Sequence, residues 1–279
     1  MKRFDIPAEL GGVNRLGNIR NWAERILGSV GKELVAYQEK ADFTFFFPEA
    51  HLLSAKAVKL SGSPVSVGCQ GVYREDVAPK SNFGAFTTNR PASAAKALGC
   101  QAAIIGHCEE RADLAGVLKE AKTADDKAVN RILNREVAAA QRQGLKVVYC
   151  IGEKEIQRDS WQEVLQMQLE TGLAGVCTEN VAIAYEPVWA IGPGKTPPDR
   201  ETIRETAVYI KSVFPGCPVV YGGGLKKENA AMLASVPEID GALIALTRFS
   251  GEIGFYPEEF LQIVSLYMEY GGENNGACV

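Results

Sequence analysis

Seven short apolar runs alternate with segments of helical spacing, and this alternation restricts the fold more than any other feature of the chain. The runs are Phe43–Phe47, Val65–Cys69, Ala102–Gly106, Val147–Ile151, Val181–Tyr185, Pro218–Tyr221 and Gly241–Ala245. Their length and apolar, partly β-branched content suit strands buried on both faces. Between them, Asn18–Gln38 carries Ile19, Trp22, Ile26, Val30 and Leu34 at spacings of three and four. Ala128–Gly144, Arg200–Phe214 and Pro257–Tyr270 repeat that spacing, with Asp199 placed to cap the second of these. Parallel neighbours need long crossovers, so strict strand–helix alternation predicts a parallel sheet. An eighth candidate, Phe4–Leu10, holds Asp5, Pro7 and Glu9, a poor composition for a central strand. Seven clear strands and one weak one predict a single-domain (β/α)8 barrel over residues 1–270, with 271–279 as a polar tail. An open doubly wound sheet is the alternative, but no GxGxxG follows a first strand.

Composition narrows the function classes. The chain has 279 residues, 46% hydrophobic and 23% charged, with a net charge of −4. Its Lys and Arg are dispersed and no basic run is interleaved with aromatics, so nucleic acid is not an expected partner. Seven cysteines, an odd number without a CxxC pair, predict reduced thiols and a cytoplasmic location. The N-terminus lacks an apolar leader and no run reaches membrane-spanning length, so neither export nor a membrane partner is expected. Two histidines and no obvious ligand cluster predict no metal and no cofactor.

The most informative stretch is Val181–Thr196, VAIAYEPVWAIGPGKT. Glu186 stands where a buried strand would leave the sheet. After it come the stiff Pro187, Val188 and Trp189, then Ala190 and Ile191, a Gly192-Pro193-Gly194 tip, and Lys195 and Thr196. A strand-end carboxylate under a hinged flap is suited to taking a proton from carbon while water is kept out. The segment Ile104-Ile105-Gly106-His107-Cys108-Glu109-Glu110-Arg111 ends another strand with an imidazole followed by acids.

The AYEPVWAIGPGKT segment resembles the sixth strand and closing lid of the triosephosphate isomerase family. Gly106–Arg111 is similar to that family's Gly-His-Ser-Glu-Arg-Arg, and Tyr221-Gly222-Gly223-Gly224 to its Tyr-Gly-Gly-Ser. The resemblance implies that Glu186 is the base and that His107 polarises the carbonyl. It implies that Glu109 is a buried acid supporting a cationic residue from the first strand. Aligning the glycines of Gly11-Gly12-Val13-Asn14-Arg15 with the family's Gly-Asn-x-Lys makes Arg15 that cation. The amides of Gly192, Gly223 and Gly224, with Ala245 and Leu246 after the last strand, are implied as phosphate holders. Gly84-Ala85-Phe86-Thr87 is similar to the loop that the family inserts into a second subunit, which implies a homodimer contacted through Phe86 and Thr87.

Several positions depart from the family. Cys108 replaces a Ser, Glu110 an Arg, and Asn89 the acidic partner of that Arg. Ala245-Leu246-Thr247-Arg248 stands where the family has a Gly-Gly pair opening a short helix. Arg248 is either a compensating phosphate clamp or a surface residue. The resemblance implies an aldose–ketose isomerase that interconverts glyceraldehyde 3-phosphate and dihydroxyacetone phosphate through an enediol. The alternatives are a tetrose-phosphate isomerase and a barrel that binds a phosphorylated sugar with little turnover.

Overall fold

The structure is a computed structural model that describes residues 2–58, 62–123, 125–192 and 194–271. Pro193 and nearly all of the expected tail, 272–279, lie outside the described residues. Among those described, seven strands form one sheet: β1 Phe43–Phe47, β2 Val65–Gln70, β3 Ala102–Ile105, β4 Lys146–Ile151, β5 Val181–Tyr185, β6 Val219–Tyr221 and β7 Gly241–Ala242. They lie in sequence order, every neighbouring pair parallel, with Phe46 opposite Gly68, Val147 opposite Val181 and Tyr185 opposite Tyr221. α1 Trp22–Val30 precedes β1, the crossovers include α2 Leu52–Ala57, α3 Ala92–Ala97, α4 Cys108–Glu120, α5 Asp126–Arg142, α6 Trp161–Gly172, α7 Arg200–Val213 and α8 Lys227–Ala234, and α9 Pro257–Tyr270 follows β7.

The pleat divides each strand between two cores. Phe46, Ala102, Val148, Cys150, Ala184 and Val220 pack together inside the sheet's curl. Their neighbours Phe45, Phe47, Val147, Tyr149, Ile151, Ile183 and Tyr185 face outward and join the core shared with the helices. A Cβ on Gly68 would meet the Phe46 ring at 2.5 Å, so glycine there lets that ring lie across the interior. Asp199 caps α7 as its sequence position suggests, its carboxylate accepting from the Thr202 amide at 2.9 Å. The expected Asn18–Gln38 helix is shorter: Gly31 caps α1, and only single 3-10 turns flank it.

The weak first strand does not form. Ala8–Leu10 winds into a 3-10 turn, and the segment's only bridge joins Pro7 to Asn14. Polar contacts anchor it instead. Asp5 is fully buried, with its carboxylate 3.0 Å from His51 Nε2 and 2.8 Å from the Arg3 guanidinium. Burial works to raise the Asp5 pKa, but these partners outweigh it and hold the carboxyl below its usual range. His51 is therefore structural, packed 5.2 Å from the Trp22 ring. The architecture is an α/β barrel in which an irregular segment takes the place of one strand.

Candidate active site

Glu186 is positioned by the sheet. Its amide donates to the Ile151 carbonyl at 2.7 Å, carrying the β4–β5 ladder one residue beyond Tyr185. Two glycines make room for it. A Cβ on Gly152 would collide with the Glu186 carbonyl at 1.8 Å, and one on Gly222 would meet Cγ at 2.9 Å. The side chain turns inward and is 4% exposed. Oε1 lies 3.0 Å from His107 Nε2, and Oε2 accepts from the Cys108 amide at 2.9 Å.

His107 is the N-cap of α4, with Nδ1 accepting from the Glu109 amide at 3.2 Å. Burial works against protonation of His107, while the Cys108 side chain and the Glu186 carboxylate work for it and raise its pKa, so the proton at Nε2 is firmly held against the carboxylate. The helix terminus limits where that proton can sit. An N–H on Nδ1 would face the Glu109 N–H, so the proton belongs on Nε2, between imidazole and carboxylate. In that tautomer Nε2 donates to Glu186 Oε1 while Nδ1 accepts from the Glu109 amide. Arg111 fixes the strand ends beneath it: Nε donates to the Gly106 carbonyl at 2.8 Å, and Nη2 donates to the Cys150 carbonyl and the Tyr149 hydroxyl, both at 2.9 Å.

The pair opens into a cavity of about 740 Å³ lined by Ile191, Gly192, Gly222, Gly224, Ala245 and Leu246. The lid base Val188–Ala190 is a single 3-10 turn. Its Trp189 indole donates to Glu153 Oε1 at 2.6 Å, and the Arg158 guanidinium covers that ring at 4.1 Å. Gly192 and Gly194 have φ of +119° and +76°, which explains glycine on both sides of the tip. Lys195 and Thr196 are exposed. Gly223 does not line the cavity; it packs under Pro187 and the Tyr221 hydroxyl, where a Cβ would sit 2.8 and 2.1 Å from them.

Two expectations fail geometrically, and one open alternative is decided. Arg15 does not reach the cavity. With no first strand to aim it, the residue is exposed, donating to the Ile253 carbonyl at 2.9 Å beside Glu252. Glu109 is not a buried acid: its side chain is 65% exposed, and its partner is Lys2, with Nζ–Oε1 at 2.5 Å. Arg248, open in the sequence between a phosphate clamp and a surface residue, takes the second position. It pairs with Glu259 at 2.6 Å and stacks on Tyr256 at 3.9 Å. No helix opens after β7, because the Thr247 and Arg248 amides both turn to the Gly254 carbonyl at 3.1 Å. Phe86 rests on Tyr73 with ring centroids 5.3 Å apart, and Thr87 is exposed on the same loop, away from this cavity. Lys2, which sequence spacing missed, lines the cavity. Folding brings Glu186 to His107 and Cys108 from 78 residues away.

A parallel α/β barrel with a buried carboxylate–imidazole pair at its strand ends, under a glycine-tipped flap, belongs to the class of barrel enzymes that move protons on small substrates. A family profile described as triosephosphate isomerase matches residues 18–266. Relatives named triosephosphate isomerase include one from Synechococcus sp., 34% identical over 76% of this chain and 77% of its own, and one from Rhizobium etli, 40% identical over 61% and 74%. The crystal structure of triosephosphate isomerase from Bartonella henselae is similar at 28% identity and a TM-score of 0.66, covering 91% of this chain and 96% of that one. This chain belongs to the triosephosphate isomerase family. The profile begins after the irregular segment, which is the part of the fold that departs from a barrel strand.

Proposed function

We propose that the protein interconverts glyceraldehyde 3-phosphate and dihydroxyacetone phosphate, and that Glu186, His107 and Lys2 carry the reaction. The observation that carries this reading is the 3.0 Å contact between Glu186 Oε1 and His107 Nε2 in a cavity roofed by Ile191 and Gly192. A bound substrate displaces that contact and takes its place between the two groups. Glu186 then removes a proton from carbon, and the Nε2–H of His107 donates to the oxygen on which charge develops. Returning the proton to the adjacent carbon completes the exchange of aldehyde and ketone. Lys2, held by Glu109, supplies the positive charge that Arg15 does not bring. The backbone amides around Gly192, Gly224, Ala245 and Leu246 hold the phosphate. The lid excludes water while the enediol exists, since that intermediate loses phosphate when solvent reaches it.

The test is proton exchange and product formation from dihydroxyacetone phosphate in heavy water. Glu186→Gln should lower both by more than the ~10²–10⁴ typical of acid–base assistance, because an amide cannot accept the proton. A variant within tenfold of the parent would sink the assignment. A tetrose phosphate is the second reading, favoured by the 740 Å³ cavity, which lies in the range of drug-sized pockets. The Gly84–Thr87 loop supports a homodimer, and the free thiols of Cys69, Cys100, Cys108, Cys150, Cys177 and Cys217 support a reducing cytoplasmic location. Among the described residues, no helix is long and apolar enough to cross a membrane.

A further inference from the structure

We propose that Glu110 is a positioning residue for the reaction: together with Arg111 it clamps the backbone of Gly106 and so aims Nε2 of His107 at the reacting oxygen. This rests on the reading of His107 as the group that donates to that oxygen. β3 ends at Ile105 and α4 begins at Cys108, so Gly106 and His107 alone turn the chain from strand into helix. Gly106 has a φ of +79°, in the left-handed region. A Cβ there would stand 2.9 Å from the Cys150 carbonyl oxygen, so the turn needs glycine on both counts. Glycine is also the residue with the least restricted backbone. The chain is therefore intrinsically freest to rotate immediately before the histidine whose direction matters most.

Two side chains from the first turn of α4 remove that freedom. Glu110 Oε2 accepts from the Gly106 amide at 2.5 Å, and Arg111 Nε donates to the Gly106 carbonyl at 2.8 Å. Both backbone polar groups of the glycine are thus held. The arrangement is a capping box displaced by one position. An acid at the third helical residue commonly reaches back to the N-cap amide, and Glu110 reaches past the N-cap His107 to the residue before it. Glu110 has supports of its own. Its carboxyl hydrogen-bonds Glu136 on α5. Gly71 leaves room beside it, since a Cβ there would already touch Glu110 Oε1, at 3.4 Å.

His107 therefore takes its direction from two anchors, the clamped glycine behind it and the Glu109 amide on Nδ1. Releasing the first lets the ring pivot about the second and carries Nε2 off its line. A misplacement of about 1 Å at such a group can cost 10²-fold in rate. Glu110 also borders the cavity. A direct contact with bound substrate would register in KM, whereas positioning of His107 registers in kcat.

Ring NMR on protein labelled with ¹⁵N-histidine reads the geometry without turnover. The chain has two histidines, and His51, held by Asp5, serves as the internal reference. Glu110→Met keeps the bulk and removes the acceptor, with Glu110→Ala as a second removal variant. Glu110→Gln keeps an oxygen for the Gly106 amide. Removal should shift the His107 Nε2 signal while His51 stays in place. It should lower kcat for dihydroxyacetone phosphate by about 10- to 100-fold and leave KM within about threefold. Glu110→Gln should bring both the signal and kcat back close to the parent's. Asp199→Ala, which removes the cap of α7, should lower Tm and move neither. Circular dichroism confirms that each variant is folded. A folded removal variant that keeps the parent's His107 signal or its kcat, or a Glu110→Gln protein no better than Glu110→Met, would overturn the proposal. A parent without turnover would sink the isomerase reading, and the ring signals would still decide whether Glu110 sets His107.

Discussion

At the scale of single residues, the cationic group separates two readings of the site. Arg15 holds the Ile253 carbonyl on the outside, whereas Lys2 lies in the cavity wall against Glu109. Lys2→Ala should lower kcat/KM by about 10- to 150-fold, the equivalent of one charge-assisted hydrogen bond to the developing oxyanion. Arg15→Ala should stay within about twofold, as surface changes usually do. Steady-state kinetics on both variants checks this, and the reverse ranking would restore Arg15 to the site. Glu186 and His107 were legible in the sequence because each ends a strand, and a strand end fixes both the position and the direction of its side chain. Arg15 was misread, and Arg248 left open, for a common reason. Their surroundings are irregular loops, where spacing says nothing about direction. Glu259, eleven residues beyond Arg248, captures that guanidinium through a contact that no local pattern announces.

At the scale of elements, α4 and α5 press two acids together behind the catalytic loop. Glu110 Oε2 accepts from the Gly106 amide at 2.5 Å, and its carboxyl also hydrogen-bonds Glu136 on α5. Burial first, then the neighbouring Glu110 charge, push Glu136 from 4.5 up to about 9, with Arg74 opposing. The folded protein therefore keeps a proton that the unfolded chain loses. The stability tied to this group is present in full below about 4.5 and is lost as pH rises towards about 9. Glu136→Gln replaces the shared proton with an amide donor at every pH. Its Tm should exceed the parent's by about 3 °C or more at pH 8 and match it near pH 4.5. Melting curves at the two pH values decide the point, and equal melting at pH 8 would mean the pair does not share a proton. Among the described elements, β1, β5 and α9 were legible to the residue, and β2, β3, β4, β6, α5 and α7 to within a few residues. β7 is much shorter than its apolar run because the chain after Ala242 leaves the ladder to build the Thr247–Gly254 turn.

At the scale of the whole molecule, the Tyr73–Arg90 loop is closed at its base by the Tyr73 amide on the Arg90 carbonyl at 2.7 Å. It carries Phe83, 80% exposed, beyond Phe86 and Thr87. As a proposed subunit contact, it makes an assembly of two chains the expected solution mass. Phe83→Asp should shift light-scattering mass towards one chain, because a carboxylate cannot be buried there without a partner; a single-chain parent would refute the contact.

The irregular first segment has a consequence for how the molecule yields. A closed barrel has no weak meridian, because every strand is held from both sides. Here the sheet is a strip with β1 and β7 at its ends, and the segment fastened by Asp5 and His51 acts as a clasp between them. Fluctuations should therefore part the strip at the clasp before they disturb its middle. Deuterium would enter the amides of β1 and β7 first and those of β4 and β5 last, and Asp5→Asn should widen that interval. The same seam leads inward to the wall of Phe46, Val148 and Val220 beneath the catalytic pair. The part of this molecule expected to open first thus gives onto the chamber that the proposed lid covers from the other side.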